Sequence, residues 1–210
     1  VPIGPVSVFG ASNFPFAFST AGGDSASAIA AGCSVVVKEH PAHPKTSQIM
    51  TKAIQKAISE SGFPEELFQQ VAGGVEVGAA LVKHPSIKAV GFTGSFGAGK
   101  SLFDLANQRP EPIPVFAEMG SINPLFLMPE KLNNYNPDLA SQYVGSLTLG
   151  TGQFCTNPGV LVAIKGGNLQ RFIEDAKDEI KKKPAETMLH QGIASHYKSN
   201  SLKMVDHPDI

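Results

Sequence analysis

The 210-residue sequence predicts an α/β fold: a doubly wound parallel sheet with helices on both faces, followed by the beginning of a second α/β domain. Three observations carry that prediction. Val6–Phe9 is apolar and β-rich, and residues 33–38 are a short Val-rich run of the kind expected of a parallel strand covered on both sides. Segments of helical spacing separate these runs, so the strand–helix–strand unit repeats, and such units leave successive strands parallel. Beyond Gly120 that rhythm changes, which places one domain at residues 1–120 and a second at 121–210.

In chain order, Val6–Phe9 is the first strand, residues 25–31 are small and helical, and 33–38 form the second strand. A helix over 46–61 follows Pro44; its apolar positions Ile49, Met50, Ala53, Ile54, Ala57 and Ile58 recur at helical spacing, and Gly62-Phe63-Pro64 ends it. A strand over 68–72, a helix over 75–83, a strand over 87–93, a helix over 99–107 and a strand over 113–117 complete the first domain. In the second, 124–127 is a brief strand, 137–149 an apolar helix, 160–164 a strand and 169–182 an amphipathic helix with a lysine-rich end. From Pro184 onward the sequence is mixed and polar and holds too little apolar material for a core of its own. Sheets of this kind bind ligands at the carboxyl ends of their strands.

Composition narrows the function. With 17% charged residues and a formal net charge of −1, the chain has no electrostatic bias toward nucleic acid. Cys33 and Cys155 are too few for a disulfide framework or a metal-ligand cluster, so a reducing, cytoplasmic setting is expected. Apolar runs such as 29–37 are far too short to cross a bilayer, and residues 1–9 lack the charged start of a signal peptide. The sequence opens on Val within a strand pattern, from which a partial chain is expected.

The chemistry is expected at Gly-Gln-Phe-Cys-Thr, residues 152–156. A cysteine is a strong nucleophile as the thiolate; taken alone, Cys155 fits that role or that of a buried structural thiol. After the first strand, Gly10-Ala-Ser-Asn-Phe-Pro15 forms a turn in which the Asn13 carboxamide either donates to an oxyanion or serves the turn itself. Lys38 ends the second strand, where an ammonium reaches a nucleotide's ribose or phosphate or else lies along the surface. Glu118 closes the strand over 113–117 and is either a base for water or a solvated carboxylate. Gly91-Phe-Thr-Gly-Ser-Phe-Gly-Ala-Gly-Lys100 offers the N–H groups and dipole of a helix start to a pyrophosphate. Residues 94–101 also fit G-x-x-x-x-G-K-S, the phosphate loop of nucleotide hydrolases, a rival that predicts Mg-dependent hydrolysis lost in Lys100→Ala. Against it, the next strand leads into Glu118-Met-Gly rather than an Asp that would hold Mg.

In this order, Asn13-Phe-Pro, Gly32-Cys-Ser-Val-Val-Val-Lys38, Gly91-Phe-Thr-Gly-Ser95 with Gly99, Glu118-Met-Gly-Ser-Ile-Asn-Pro124 and Gly152-Gln-Phe-Cys155 resemble the aldehyde dehydrogenase superfamily, over residues 1 to about 165. Within it, Phe18-Ser-Thr-Ala-Gly-Gly-Asp-Ser25 and Arg109-Pro-Glu-Pro-Ile-Pro114 are similar to the ketoglutaric semialdehyde (2,5-dioxovalerate) dehydrogenases and the related bacterial NADP-dependent fatty aldehyde dehydrogenases. The resemblance implies a Rossmann-like NAD(P)-binding domain at 1–120 and a partial catalytic domain at 121–210. It implies NADP or NAD as cofactor, no metal, a small-molecule aldehyde as substrate, no nucleic-acid or membrane partner, and a homo-oligomeric parent enzyme.

The same resemblance implies that Cys155 attacks the aldehyde, with the Asn13 side chain and the Cys155 backbone N–H holding the oxyanion. Hydride then passes to the nicotinamide, and Glu118 activates the water that hydrolyses the thioester. Lys38 is assigned to the adenosine ribose, Gly94 and Ser95 to the pyrophosphate, and Gly99, Met119 and Gly120 complete the cofactor-binding set. Where many NAD-using members carry an acidic residue three places after the lysine, Pro41 stands here and no longer repels a 2′-phosphate. No Arg lies between Lys38 and Ser101 to clamp one, which leaves Lys45, His40 or His43 as substitutes and the NAD or NADP preference open. A non-catalytic nucleotide-binding fragment is the remaining alternative.

Overall fold

The structure, a computed structural model, describes residues 1–207. Its contacts fall into two compact units, Val1–Gly120 and Ser121–Ile210, each taken by itself below.

In the first unit, β1 (Val6–Phe9), β2 (Val35–Lys38), β3 (Phe68–Val71), β4 (Ala89–Gly94) and β5 (Val115–Met119) form one parallel sheet in the order β3-β2-β1-β4-β5. The connections carry α1 (Gly23–Ala30), α2 (Pro44–Glu60), α3 (Val75–Lys83) and α4 (Phe96–Asn107). Successive strand side chains point to opposite faces, and this alternation decides which helices cover which face. Val6, Val8, Val35, Val37 and Ala89 pack with Ala28 and Ile29 of α1 and with Ile54 and Ile58 of α2. The intervening Phe9, Val90 and Phe92 pack on the other face, with Val82 of α3 and Leu102, Leu105 and Ala106 of α4. The central strands β1 and β4 are therefore covered on both faces, whereas the edge strands β3 and β5 keep polar or exposed positions such as Gln69 and Phe116.

The expected elements are present with shifted ends. The last strand runs to Met119, so Glu118 is a strand residue rather than the one that follows it. The helix expected from residue 99 begins at Phe96, because the Ser95 hydroxyl accepts the Ala98 N–H at 3.3 Å and caps it there. On α2 the apolar spacing misplaces the buried side. Ile49 is exposed and the buried positions are Ser47, Thr51 and Ile58, since this helix turns partly toward polar neighbours, with Thr51 donating to Gln70 of β3.

In the second unit β6 (Pro124–Leu127) and β7 (Val160–Ala163) form a parallel pair. Against it lie α5 (Pro129–Asn133), α6 (Asp138–Thr148) and α7 (Gly167–Lys181). Phe172 of α7 is fully buried among Leu127, Leu132 and Ala140, with the Tyr135 and Tyr143 rings against it. The sequence pattern missed α5 and α8 (Gln191–Val205); α8 buries none of its residues, so it carries no apolar stripe to read. No helix among the described residues is long and apolar enough to cross a membrane.

Candidate functional site

Strand register brings the first unit's candidates to one edge. Phe9 lies beside Lys38 and Phe92, Lys38 beside Val71, and Thr93 beside Glu118, so the loops after all five strands leave the sheet on its carboxyl side. The chain winds outward from β1 to β2 and β3, then returns to β1's other flank as β4. The switch point, where open α/β sheets leave a crevice, thus lies between the loop after β1 and the start of α4.

Asn13 is half-buried in that first loop. The loop is closed on itself by the Ala11 N–H donating to Phe18 at 2.7 Å, and it is tied to α2 by His43. In the neutral ring, His43 Nε2 donates to the Ala11 carbonyl at 2.9 Å and Nδ1 accepts the Ser47 hydroxyl at 3.2 Å. Both ring nitrogens are engaged, so His43 props the Asn13 loop and is not free to clamp a phosphate. Lys38 is half-buried at the end of β2, near Glu76 in the first turn of α3. Backbone N–H groups of Glu76 and Gly74, and then the Lys38 ammonium, hold the Glu76 carboxyl below its ordinary range.

The first turn of α4 carries no acidic residue, so its N–H groups and Ser95 present an unopposed positive helix end. The phosphate-loop rival does not survive this geometry. Gly94 ends β4, Ser95 caps α4 and Phe96 begins it, which leaves no loop to wrap a phosphate; Lys100 sits a full turn into the helix, paired with Asp104 at 2.7 Å. Gly99 and Met119 pack on each other: a Cβ on Gly99 would collide with the Met119 side chain, so Gly99 lets α4 seat against β5. Gly120 turns the chain out of β5 at φ 73°.

One acidic neighbour was not singled out from sequence. Asp24, in the first turn of α1, packs over Gly91 of β4, where an added Cβ would lie 3.2 Å from the Asp24 Cβ. Gly91 and Thr93 share a face of β4, and Glu118 pairs with Thr93, so Asp24 and Glu118 occupy the same side of the sheet. Partial burial, and after it the Glu118 charge, push the Asp24 carboxyl above its ordinary range.

In the second unit Cys155 is half-exposed, whereas Cys33, in the first unit's core, is buried. The loop before Cys155 holds three consecutive left-handed residues, Gly150 (φ 58°), Thr151 (φ 59°) and Gly152 (φ 69°). For a β-branched residue such as Thr151 that conformation is strained, and strain of this kind persists only where the surroundings enforce it. They do so here. Asn157 Nδ2 donates to Leu147 at 2.6 Å, Asn123 Nδ2 donates to the Cys155 carbonyl at 2.7 Å and to Asn157 at 2.9 Å, and the Ser121 hydroxyl also donates to the Cys155 carbonyl. Ser121 and Asn123 were legible in the Glu-Met-Gly-Ser-Ile-Asn-Pro stretch only as part of a motif; their work is to pin the cysteine's own backbone.

The geometry has close counterparts. The aldehyde dehydrogenase family model matches residues 1–194. The chain is 52% identical to alpha-ketoglutaric semialdehyde dehydrogenase 2 of Azospirillum brasilense, over all of this chain and 40% of that protein. It is 49% identical to alpha-ketoglutaric semialdehyde dehydrogenase of Acinetobacter baylyi, over 94% of this chain and 37% of that one. Among solved structures, an NAD-dependent benzaldehyde dehydrogenase from Corynebacterium glutamicum superposes with a TM-score of 0.69 at 26% identity, covering 89% of this chain and 39% of its own. The chain thus spans about two fifths of the length of these curated relatives, and it belongs to the aldehyde dehydrogenase family.

Proposed function

We propose that this chain supplies the nucleotide-binding and nucleophile-bearing part of an enzyme that oxidises an aldehyde, ketoglutaric semialdehyde (2,5-dioxovalerate) above others, to its carboxylic acid. The observation that carries the reading is Cys155: a half-exposed thiol in a strained loop whose carbonyl is gripped by Ser121 and Asn123, in a chain of this family. A structural thiol needs no such loop. The substrate assignment rests on two relatives, at 52% and 49% identity, both named as dehydrogenases of that semialdehyde.

In this reading the Cys155 thiolate adds to the aldehyde carbonyl carbon. The carbonyl oxygen becomes an oxyanion held by the Asn13 carboxamide and the Cys155 N–H. When bound, a nicotinamide dinucleotide supplies the hydride acceptor that turns the thiohemiacetal into a thioester. Lys38, Gly94, Ser95 and the first turn of α4 fit that group, since the helix end is free of acidic residues and lies at the sheet's switch point. Glu118 then takes a proton from water, hydroxide adds to the thioester carbon, and the C–S bond breaks to return Cys155 as thiolate and release the acid.

The test is aldehyde-dependent NAD(P)H formation by a full-length protein carrying this segment, assayed over semialdehydes and fatty aldehydes with both nucleotides. Cys155→Ser is expected to lower kcat at least about a thousandfold. Unaltered turnover in that variant sinks the mechanism, and a clear preference for fatty aldehydes sinks the substrate assignment.

A further inference from the structure

Asp24 is a half-buried carboxylate with no task in the mechanism above. It comes from the Phe18-Ser-Thr-Ala-Gly-Gly-Asp-Ser25 stretch, and it stands over the centre of the sheet because Gly91 leaves it room. Its carboxylate makes no hydrogen bond or ion pair among the described residues. Among the described residues, the ionisable side chain that acts on it from the same face of the sheet is Glu118, whose strand partner Thr93 lies on Asp24's own side of β4. Neither the rest of α1 nor the loop of residues 10–22 carries another ionisable side chain, and β1 and β4 carry none.

A bland explanation is available: an acidic residue in a helix's first turn stabilises the helix. That explanation predicts an ionised group that favours the fold. The environment does the opposite, because burial and the Glu118 charge both disfavour ionised Asp24. A group whose folded-state proton affinity exceeds its unfolded value adds stability only at low pH, and above its ordinary range its ionisation costs stability. Ionised Asp24 therefore works against the fold, which stabilisation of a helix end does not explain.

We propose that Asp24 is a positioning residue of the hydrolytic step, holding and relaying the proton that Glu118 takes from water. The inference rests on the function proposed above. When water adds to the thioester, its proton goes to the Glu118 carboxylate. The two carboxylates are not hydrogen-bonded to each other, so the proton crosses through an intervening water to Asp24, and from there to solvent. Glu118 is thereby returned to its carboxylate form with no oxidant or other reactant consumed, and the pair avoids carrying two adjacent negative charges.

The experiment uses the full-length protein with semialdehyde and NAD(P), following the first-turnover NAD(P)H burst by stopped flow and the decay of the Cys155 acyl-enzyme by rapid quench. In Asp24→Asn the burst is expected within about twofold of wild type. Acyl-enzyme decay is expected to slow about tenfold, less than the roughly 10²–10⁴ of a direct general base. Asp24→Glu should recover most of the decay rate. Asp24→Asn should melt no lower than wild type at pH 7. An unchanged decay rate overturns the proposal. So does a melting point that drops, a variant that fails to fold, or an equal loss of burst and decay, each of which assigns Asp24 to structure. Wild-type protein with no aldehyde-dependent NAD(P)H at all overturns the underlying function, a result no Asp24 variant can mimic.

Discussion

Arg109 carries a buried charge with only carbonyls for company among the described residues. Its Nη1 donates to Val82 and Ile87, both at 2.9 Å, and its Nη2 to Pro85 at 3.4 Å, so one planar fork gathers the end of α3 and the approach to β4. Arg109→Met leaves three inward-facing carbonyls unpaired and should cost about 3 kcal/mol, read as a lower urea midpoint at unchanged m. Arg109→Lys should recover little of it, since an ammonium does not reproduce the fork. The two cysteines make the opposite contrast. Cys33 is 3% exposed in the core and Cys155 is half-exposed, so iodoacetamide should label Cys155 at least about tenfold faster, measured by peptide mass mapping. Equal rates would remove Cys155's claim to special reactivity.

At the scale of elements, α7 is tied to the segment before α6 by Tyr135, whose hydroxyl donates to Asp175 at 2.6 Å. Loss of hydration, then the hydrogen bond and charge of Asp175, push the Tyr135 hydroxyl up to about 12. Since the folded state keeps this proton longer than the unfolded chain, the contribution is complete below about pH 10 and is lost as pH rises toward about 12. Tyr135→Phe should lower stability by about 1 kcal/mol at pH 8 and flatten that alkaline loss, checked by urea melts across pH. At the start of α4, Ser95→Ala should cost about 1 kcal/mol through the lost cap.

Across the whole molecule the two units differ in how their sheets are protected. β1 has a strand on each side and helices on both faces, with Val6, Ser7, Val8 and Phe9 all buried. β6 and β7 make a two-stranded sheet on which Phe126, Val160 and Val162 remain exposed. A two-stranded sheet is marginal without further cover. Amide hydrogen exchange in this chain should therefore be slowest in β1 and β4 and at least about a hundredfold faster in β6 and β7; uniform protection would contradict the division.

The sequence by itself determined the alternation of strands and helices in the first unit, because short apolar runs such as residues 33–38 alternate with segments of helical spacing, a rhythm that needs no partner to be recognised. It also placed the cysteine loop, through the Gly152-Gln-Phe-Cys155 stretch that carries part of the resemblance. Only the tertiary structure decided the rest. Whether residues 94–101 wrap a phosphate or simply begin a helix hinged on the Ser95 cap and on the Met119 side chain under Gly99, the latter a contact between distant residues that no local pattern encodes. The polar stripe of α2 and the surface helix α8 were invisible because neither is written in apolar spacing. Asp24 gained its meaning from Gly91 and Glu118, far away along the chain and brought to one face by strand register, and electrostatics acts through space rather than through sequence.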